Sequence, residues 1–183
     1  MIMRSQTRRD AGFTAVFLGF FASAWFGWAQ ADQSSAWLTA GSIVSVLVAV
    51  IGLVTGLRAP AEGSAMKDRA ASRRYGIIVG IEFAVIFAGA ILLGRLGQPD
   101  YIPVWVAFVV GIHFVPLAPV LGDPLLRPLA VATCVVAVAG LITGLATDVA
   151  PSLVVGVGTG SLLLAYSLQA LARGARRRAE SSL

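Results

Sequence analysis

The sequence has very few residues that titrate near neutral pH, since its 183 residues include one histidine and one cysteine. A lone cysteine cannot form an intrachain disulfide. One histidine and one cysteine also exclude the usual ligand clusters of metal sites, and a bis-histidine haem site within one chain. No nucleophile lies in a recognised catalytic motif. The sequence therefore predicts no enzyme, metal site or cofactor.

Charged residues are also scarce. They make up 13% of the chain, while 57% is hydrophobic and the mean hydropathy is +0.84. Soluble domains contain about 25% charged residues, so this composition excludes a water-soluble domain and predicts a lipid bilayer as the main partner. The net charge of +5 does not indicate nucleic acid, because the basic residues lie at the ends of apolar stretches, where they orient helices.

Six apolar stretches fill almost the whole chain, and each is long enough to cross a bilayer. Only helices satisfy the backbone of such stretches in lipid. The sequence therefore predicts an all-α, polytopic bundle forming one transmembrane domain over residues 1–183. The predicted spans are 11–28, 37–57, 76–96, 101–121, 129–147 and 151–171.

The distribution of lysine and arginine predicts the orientation. All but one of the 14 basic residues lie in the two tails, the loop after span two or the loop after span four. Arg95 is the exception. Since the basic side faces the cytoplasm, we expect both termini on the cytoplasmic side of the inner or plasma membrane. Ala29-Gln30-Ala31 after the first run resembles a signal-peptide cleavage site, but the run exceeds the usual 7–15 residues, so we expect an uncleaved first span.

A short internal echo is present. Residues 48–57 and 136–145 are identical at eight of ten positions, at a constant offset of 88. The two segments run in opposite directions through the membrane, as in the 3+3 inverted repeats of transporters. A chance match within the small alphabet of membrane helices is the alternative. Both segments contain Gly-x-x-x-Gly, which favours close helix packing, either within the bundle or between subunits.

Glu82 and His113 are the side chains within the spans that titrate near neutral pH. They lie about 9 and 12 Å from the inner ends of spans three and four, by the helical rise of 1.5 Å per residue. The spans are consecutive and antiparallel, so the two side chains can meet. A carboxylate and an imidazole in contact can exchange a proton near physiological pH.

Two interpretations of this pair remain open. One is a proton, ion or solute site, and the other is a structural hydrogen bond between helices. Pro116 favours the first, because proline removes a backbone hydrogen bond. Broken helices beside ionisable groups build transport sites. Together with Pro119, it predicts a kinked or unwound end of span four. Packing or helix termination would equally explain the prolines.

Charged residues outside the spans suggest simpler roles. Arg95 and Asp100 flank the short connection after span three and are candidates for an ion pair. Further arginines near span ends are candidates for contacts with anionic lipid headgroups. These are Arg69, Arg73, Arg74, Arg176 and Arg177.

The segment Gly111-Ile112-His113-Phe114-Val115-Pro116-Leu117-Ala118 resembles a Gly-x-His-Phe-x-Pro-Leu-Ala signature. This signature is associated with small, uncharacterised bacterial integral membrane proteins, in which the preceding span carries a glutamate. Glu82 stands at that place here, and the composition looks actinobacterial. The resemblance covers spans three and four. It implies that Glu82 and His113 belong together, and it implies no activity.

These observations predict a small transporter or channel component that moves a proton, ion or small solute near Glu82, His113 and Pro116. A bundle of this size leaves little room for a wide path, so we expect a homo-oligomer. The alternative is a non-transporting assembly or partner-binding subunit in which Glu82 and His113 hold helices together. An enzyme acting on lipid is the least supported reading.

Overall fold

The computed structural model describes residues 7–59 and 69–180, which form six α-helices and a 3₁₀ turn without any strand. Each helix is long and apolar enough to span a membrane, so the predicted all-α, six-span fold is confirmed. The 3₁₀ turn is Pro99–Tyr101. The helices are α1 (Arg8–Asp32), α2 (Ala36–Arg58), α3 (Arg69–Arg95), α4 (Ile102–Leu121), α5 (Leu126–Ala146) and α6 (Pro151–Glu180).

The helices α1, α3 and α6 extend furthest beyond the predicted spans. α1 begins at Arg8, α3 begins at Arg69 and α6 continues to Glu180. These extensions are rich in alanine and arginine, which are strong helix formers, so the helices continue where the apolar pattern stops. At the start of α1, Thr7 and Asp10 form a reciprocal capping box, with bonds of 3.2 and 3.1 Å. The basic segments predicted as a loop and a tail are therefore partly helical.

Consecutive helices run antiparallel, and this gives the bundle two distinct ends. The basic end carries Arg58, Arg73, Arg127 and Arg173, next to the first residue of α1 and the last residues of α6. The acidic end carries Asp100 and Asp148 in the connections that precede α4 and α6.

The helices are not equivalent in the bundle. α6 packs against α1, α2, α4 and α5, whereas α3 packs extensively only against α4. None of the residues in the apolar segment of α3 is buried. The centre of the bundle is built from side chains of α1, α4, α5 and α6. It includes Leu18, Ala22, Trp25, Val104, Ala107, Phe114, Ala137, Val155 and Leu163.

Glycines allow α1 and α2 to touch along their backbones. A Cβ atom added at Gly12 would lie 2.7 Å from the Cα of Gly56, and one added at Gly52 would lie 2.8 Å from the carbonyl oxygen of Gly12. Side chains larger than hydrogen do not fit there. The Gly-x-x-x-Gly segment of α2 is therefore used for packing within the chain.

The matching segment of α5 also packs within the chain, but against a different kind of neighbour. Gly140 lies against Val155 and Gly144 lies against Pro151, both on α6. An inverted repeat would instead pack this face of α5 on α4, as α2 packs on α1. The environments of α3 and α6, the third helix of each half, differ as well. The structure therefore does not confirm the inverted repeat, which stays a prediction.

We predict that Gly12→Ala destabilises the protein, because the new methyl group would collide with the backbone of α2. Overpacking of this kind costs about 1–3 kcal/mol. Thermal unfolding in detergent measures the change. Gly27→Ala is the matched control, since Gly27 is an exposed glycine of the same helix with open space around it. Equal melting temperatures for the two variants would contradict the close contact.

Candidate functional site

Glu82 and His113 are in direct contact across the interface of α3 and α4. The Nδ1 atom of His113 lies 3.0 Å from Oε2 of Glu82. The side chains are only 5% and 11% exposed, respectively. Both side chains lie inside the apolar segments of their helices. The structure thus joins the acid and the base that the sequence places at similar depth on consecutive spans.

The two side chains approach each other closely but do not form a hydrogen bond of good geometry. The two atoms are at hydrogen-bond distance, but Nδ1 of His113 has no hydrogen-bond partner of acceptable direction. Hydrogen bonds weaken steeply when the donor hydrogen points away from the acceptor. The contact is therefore a close approach of two polar atoms without an aligned donor hydrogen.

Two further interactions hold α3 against α4. The indole Nε1 of Trp105 donates to the backbone carbonyl of Val85 at 3.2 Å, and the indole ring covers Gly89, where a Cβ would collide with it. These contacts of Trp105 fix the register of the two helices and thereby place Glu82 opposite His113. Within α4, the ring of Phe114 lies edge-on to the imidazole of His113, with centroids 5.6 Å apart.

The structure does not support an unwound segment near Pro116. α4 is a continuous helix from Ile102 to Leu121 with both prolines inside it. Pro116 is exposed, whereas His113 is buried, so they do not share an enclosed site. The prediction of unwinding is wrong because an unwound helix in lipid would leave further backbone groups without partners.

The predicted pair of Arg95 and Asp100 does not form. Among the described residues, no ion pair within 4.0 Å joins them, and both side chains are exposed. The backbone turns sharply between them at Gly97, which has a φ of 71°. Asp100 instead lines a cavity at the acidic end.

The arginines predicted to contact lipid headgroups lie at the basic end. Arg73, Arg74 and Arg176 are exposed, as contact with headgroups requires. Arg69 and Arg177 belong to helices α3 and α6, but their side chains lie outside the described residues.

An ion pair at the basic end was missed by sequence reasoning. The guanidinium of Arg173 on α6 donates to both carboxylate oxygens of Asp123, at 3.3 and 3.4 Å. The side chain of Asp123 is 0% exposed and that of Arg173 is 32% exposed. Asp123 also accepts the backbone N–H of Leu125 at 3.2 Å. Sequence reasoning placed Arg173 in a free basic tail and gave Asp123 no role.

The turn after α4 explains how Asp123 becomes buried. Gly122 ends the helix with a φ of 65°, in the left-handed region that favours glycine. The N–H of Asp123 then bonds the carbonyl of Ala118 at 3.0 Å. This turn directs the carboxylate toward α6. The Gly-Asp-Pro sequence at 122–124 is the signal that could have indicated a turn with a functional aspartate.

The described residues contain no group of three or more His, Cys, Asp or Glu side chains that could hold a metal ion. The Glu82–His113 contact therefore provides two ligands at most. Structural metal sites usually have four protein ligands and catalytic sites three, so this pair alone falls short of either.

No protein-family model matches this chain, and neither a curated protein nor a solved structure matches it. The resemblance of residues 111–118 to small bacterial membrane proteins therefore stays a prediction. The site must be interpreted from its own geometry.

We predict that Arg173→Gln lowers the free energy of unfolding by about 2–3 kcal/mol. Removing one partner of a fully buried pair costs about 3–5 kcal/mol, and the partial exposure of Arg173 reduces this through solvent screening. Thermal unfolding in detergent measures the effect. Arg176→Gln is the matched control, because Arg176 is exposed on the same helix. A loss of stability no larger than that of the control would show that the pair is not structural.

Proposed function

We propose that the protein is a small membrane transporter or channel component that moves a proton, an ion or a small solute. The 3.0 Å contact between the nearly buried side chains of Glu82 and His113 is the observation that carries this proposal. Ionisable groups within hydrocarbon are energetically expensive and usually serve a function. An acid and a base in contact there form a site that gains and loses protons as a unit.

The protonation states of the pair suggest how it would act. With one shared proton, the contact is neutral overall, either as a carboxylate with an imidazolium or as two uncharged groups. A second proton gives the pair a net positive charge, and loss of the proton gives it a net negative charge. Either change places an uncompensated charge where water is scarce, which is unfavourable. Proton binding and release would therefore change the strength of the contact between α3 and α4.

The position of α3 supports this mechanism. α3 packs extensively only against α4, so it can shift without disturbing the rest of the bundle. The contacts of Trp105 with Val85 and Gly89 would remain as a pivot toward the acidic end. A change at Glu82 and His113 would then alter access to the interface from the basic end.

The proposal includes an orientation. The basic end would face the cytoplasm, according to the positive-inside rule, with both termini on that side of the inner or plasma membrane. Arg73, Arg74 and Arg176 are exposed at that end, where the leaflet carries anionic headgroups. The Glu82–His113 site would then lie in the cytoplasmic half of the bilayer.

A second candidate function is an assembly or partner-binding subunit, and the outer face of α3 favours it. Gly76, Gly80, Ala84 and Ala88 recur every fourth residue and are all exposed. Nothing lies within 4 Å of a Cβ added at either glycine. Small residues at this spacing permit close approach of another helix. In a transporter, the same face would join copies of the chain, and we propose a homo-oligomer on that basis.

We predict that Glu82→Gln abolishes proton flux through the protein in proteoliposomes. Glutamine keeps the shape of the side chain but cannot take up or release a proton. An encapsulated pH-sensitive dye measures the flux under an imposed membrane potential. Thr143→Val is the control, because the Thr143 hydroxyl bonds the carbonyl of Ala139 in its own helix at 2.8 Å and should not contribute to transport.

The same experiment separates the two candidate functions. Unchanged flux in Glu82→Gln, together with a lower melting temperature, would assign the pair a purely structural role. Absence of flux in the wild-type protein, with copurification of a second protein, would favour the assembly subunit.

We further predict that Gly80→Leu reduces the oligomer to a smaller species, because the larger side chain prevents close approach of another helix at α3. Light scattering after size-exclusion chromatography gives the mass of the protein. Gly27→Leu is the control, since Gly27 on α1 is also an exposed glycine with open space around it. A wild-type protein that is already monomeric would contradict the homo-oligomer.

A further inference from the structure

A cavity opens at the acidic end, between the ends of α1, α4, α5 and α6. Its volume is about 430 Å³, and the side chains that line it include Asp100 and Asp148 together with the aromatic rings of Trp28 and Tyr101. No lysine or arginine lines it. The ring of Trp28 is held in place by stacking on the buried Trp25, with centroids 5.4 Å apart. Two carboxylates and two aromatic faces without a basic partner favour cations.

A row of polar side chains leads from this cavity along α6. Ser152, Thr159, Tyr166 and Arg173 recur at every seventh residue. Seven residues are nearly two helical turns, so these side chains lie on one face of the helix. From the first to the last, the row spans about 31 Å, similar to the hydrocarbon thickness of a bilayer. Ser152 lines the cavity, and Arg173 bonds Asp123 at the basic end.

The hydroxyl groups in the middle of the row are buried and have no hydrogen-bond partner. Thr159 is fully buried, as is Thr133 on α5, and neither Oγ1 atom has a partner. The hydroxyl of Tyr166 is also buried without a partner. Serine and threonine hydroxyls in helices often bond the carbonyl four residues earlier, as that of Thr143 does. Those of Thr133 and Thr159 do not, so these two hydroxyls and that of Tyr166 are available to bind water or a ligand.

Thr133 on α5 lies between Thr159 and Tyr166 in height along the bundle axis. Val136 of α5 packs against Gly158, the neighbour of Thr159. Thr133 precedes Val136 by about one turn. Since α5 and α6 are antiparallel, Thr133 lies about 3 Å from Thr159 along the bundle axis, on the side toward Tyr166. Thr159, Thr133 and Tyr166 therefore follow one another in height along the middle of the bundle.

The row ends at an ion pair at the basic end. The guanidinium of Arg173 is held by the buried carboxylate of Asp123, and it lies over the ring of Tyr166, 6.0 Å from the ring centroid. The pair thus lies at the end of the row opposite to the cavity.

We propose that the row along α6 lines a hydrated path through the bundle, which small cations enter from the cavity and which the Asp123–Arg173 pair closes. The two carboxylates of the cavity attract the cation, and the unpartnered hydroxyls hold the water. This path goes beyond the proposed function of the Glu82–His113 site. That site lies at the interface of α3 and α4, whereas the row faces the centre of the bundle.

Cysteine labelling in membranes tests the path. The background variant is Cys134→Ser, which removes the single cysteine, and the probe is the cationic reagent 2-aminoethyl methanethiosulfonate, added at the acidic end. We expect Thr159→Cys to react at least about tenfold faster than Ser161→Cys, because only a thiolate reacts and a cysteine facing lipid stays protonated. Ser161 is exposed on the same helix at nearly the same height. Equal rates would overturn the proposal.

Two further labelling experiments test the end from which the path opens and its preference for cations. Reagent added at the basic end should label Thr159→Cys much more slowly, because the ion pair closes that end. At Ser152→Cys, the cationic reagent should exceed the anionic 2-sulfonatoethyl reagent in rate, and Asp100→Asn with Asp148→Asn should remove the excess. If the ratio of the cationic to the anionic labelling rate stays the same in these two substitutions, the cavity does not select cations.

Hydroxyl-radical footprinting of the wild-type protein keeps the test independent of the variants. Tyr166 should be oxidised by radicals formed in internal water, whereas Leu163, which is 1% exposed in the core, should not. Protection of Tyr166 equal to that of Leu163 would overturn the path even if a cysteine variant failed to fold. Glu82→Gln should leave the labelling unchanged, so that failure of the proposed transport site and failure of the path give different results.

Discussion

The hydrocarbon core of a bilayer offers no hydrogen-bond partners, and most of this structure follows from that constraint. Several polar groups within the bundle have partners in the protein. Ser167 donates to the carbonyl of Ala15 at 2.8 Å, and Trp105 donates to that of Val85. The prolines of α4 are tolerated without unwinding. Against this background, the polar groups that lack an ordinary partner are the most informative residues in the chain.

These groups fall into two systems that lie in different parts of the bundle. Glu82 and His113 meet between α3 and α4, at the periphery, where α3 has one neighbouring helix. The hydroxyls of Thr133 and Thr159 lie in the centre, where α6 contacts four helices. The proposed change of charge is easier to accommodate beside a helix with one neighbour than beside a helix held from several sides. The proposed path for water is, conversely, better defined by helices that are held from several sides. The positions of the two systems match these different physical demands.

The sequence predicts the spans and the Glu82–His113 contact because each depends on local information. Apolar length identifies a span, and similar depth on consecutive antiparallel helices brings two side chains together. The Asp123–Arg173 pair joins residues that are 50 positions apart. It depends on the left-handed turn at Gly122 and on the placement of α6, which the hydropathy pattern does not contain. Of the kinked or unwound end expected for span four, the unwinding is wrong, because lipid offers the freed backbone groups no other partners.

The polar row of α6 illustrates a different limit of sequence analysis. Its spacing of seven residues is visible in the sequence, but a threonine on a membrane helix usually bonds its own backbone. The same residue type does so at Thr143 and does not at Thr159. The difference arises from packing. Thr159 is enclosed by neighbouring helices, and Thr143 lies near the end of α5. Composition alone cannot distinguish them, since only the tertiary arrangement decides which hydroxyl is left without a partner.

α4 connects the two systems physically. His113 lies in its middle, and Asp123, which holds Arg173, lies directly after its end. Pro116 and Pro119 stand between these points, and each removes one backbone hydrogen bond. This stretch is therefore the part of α4 that resists bending least. A small displacement of α4 at His113 would be absorbed by bending in this segment, so that the turn that positions Asp123 stays in place. The prolines, which do not build a site themselves, thus separate the Glu82–His113 contact from the Asp123–Arg173 pair mechanically.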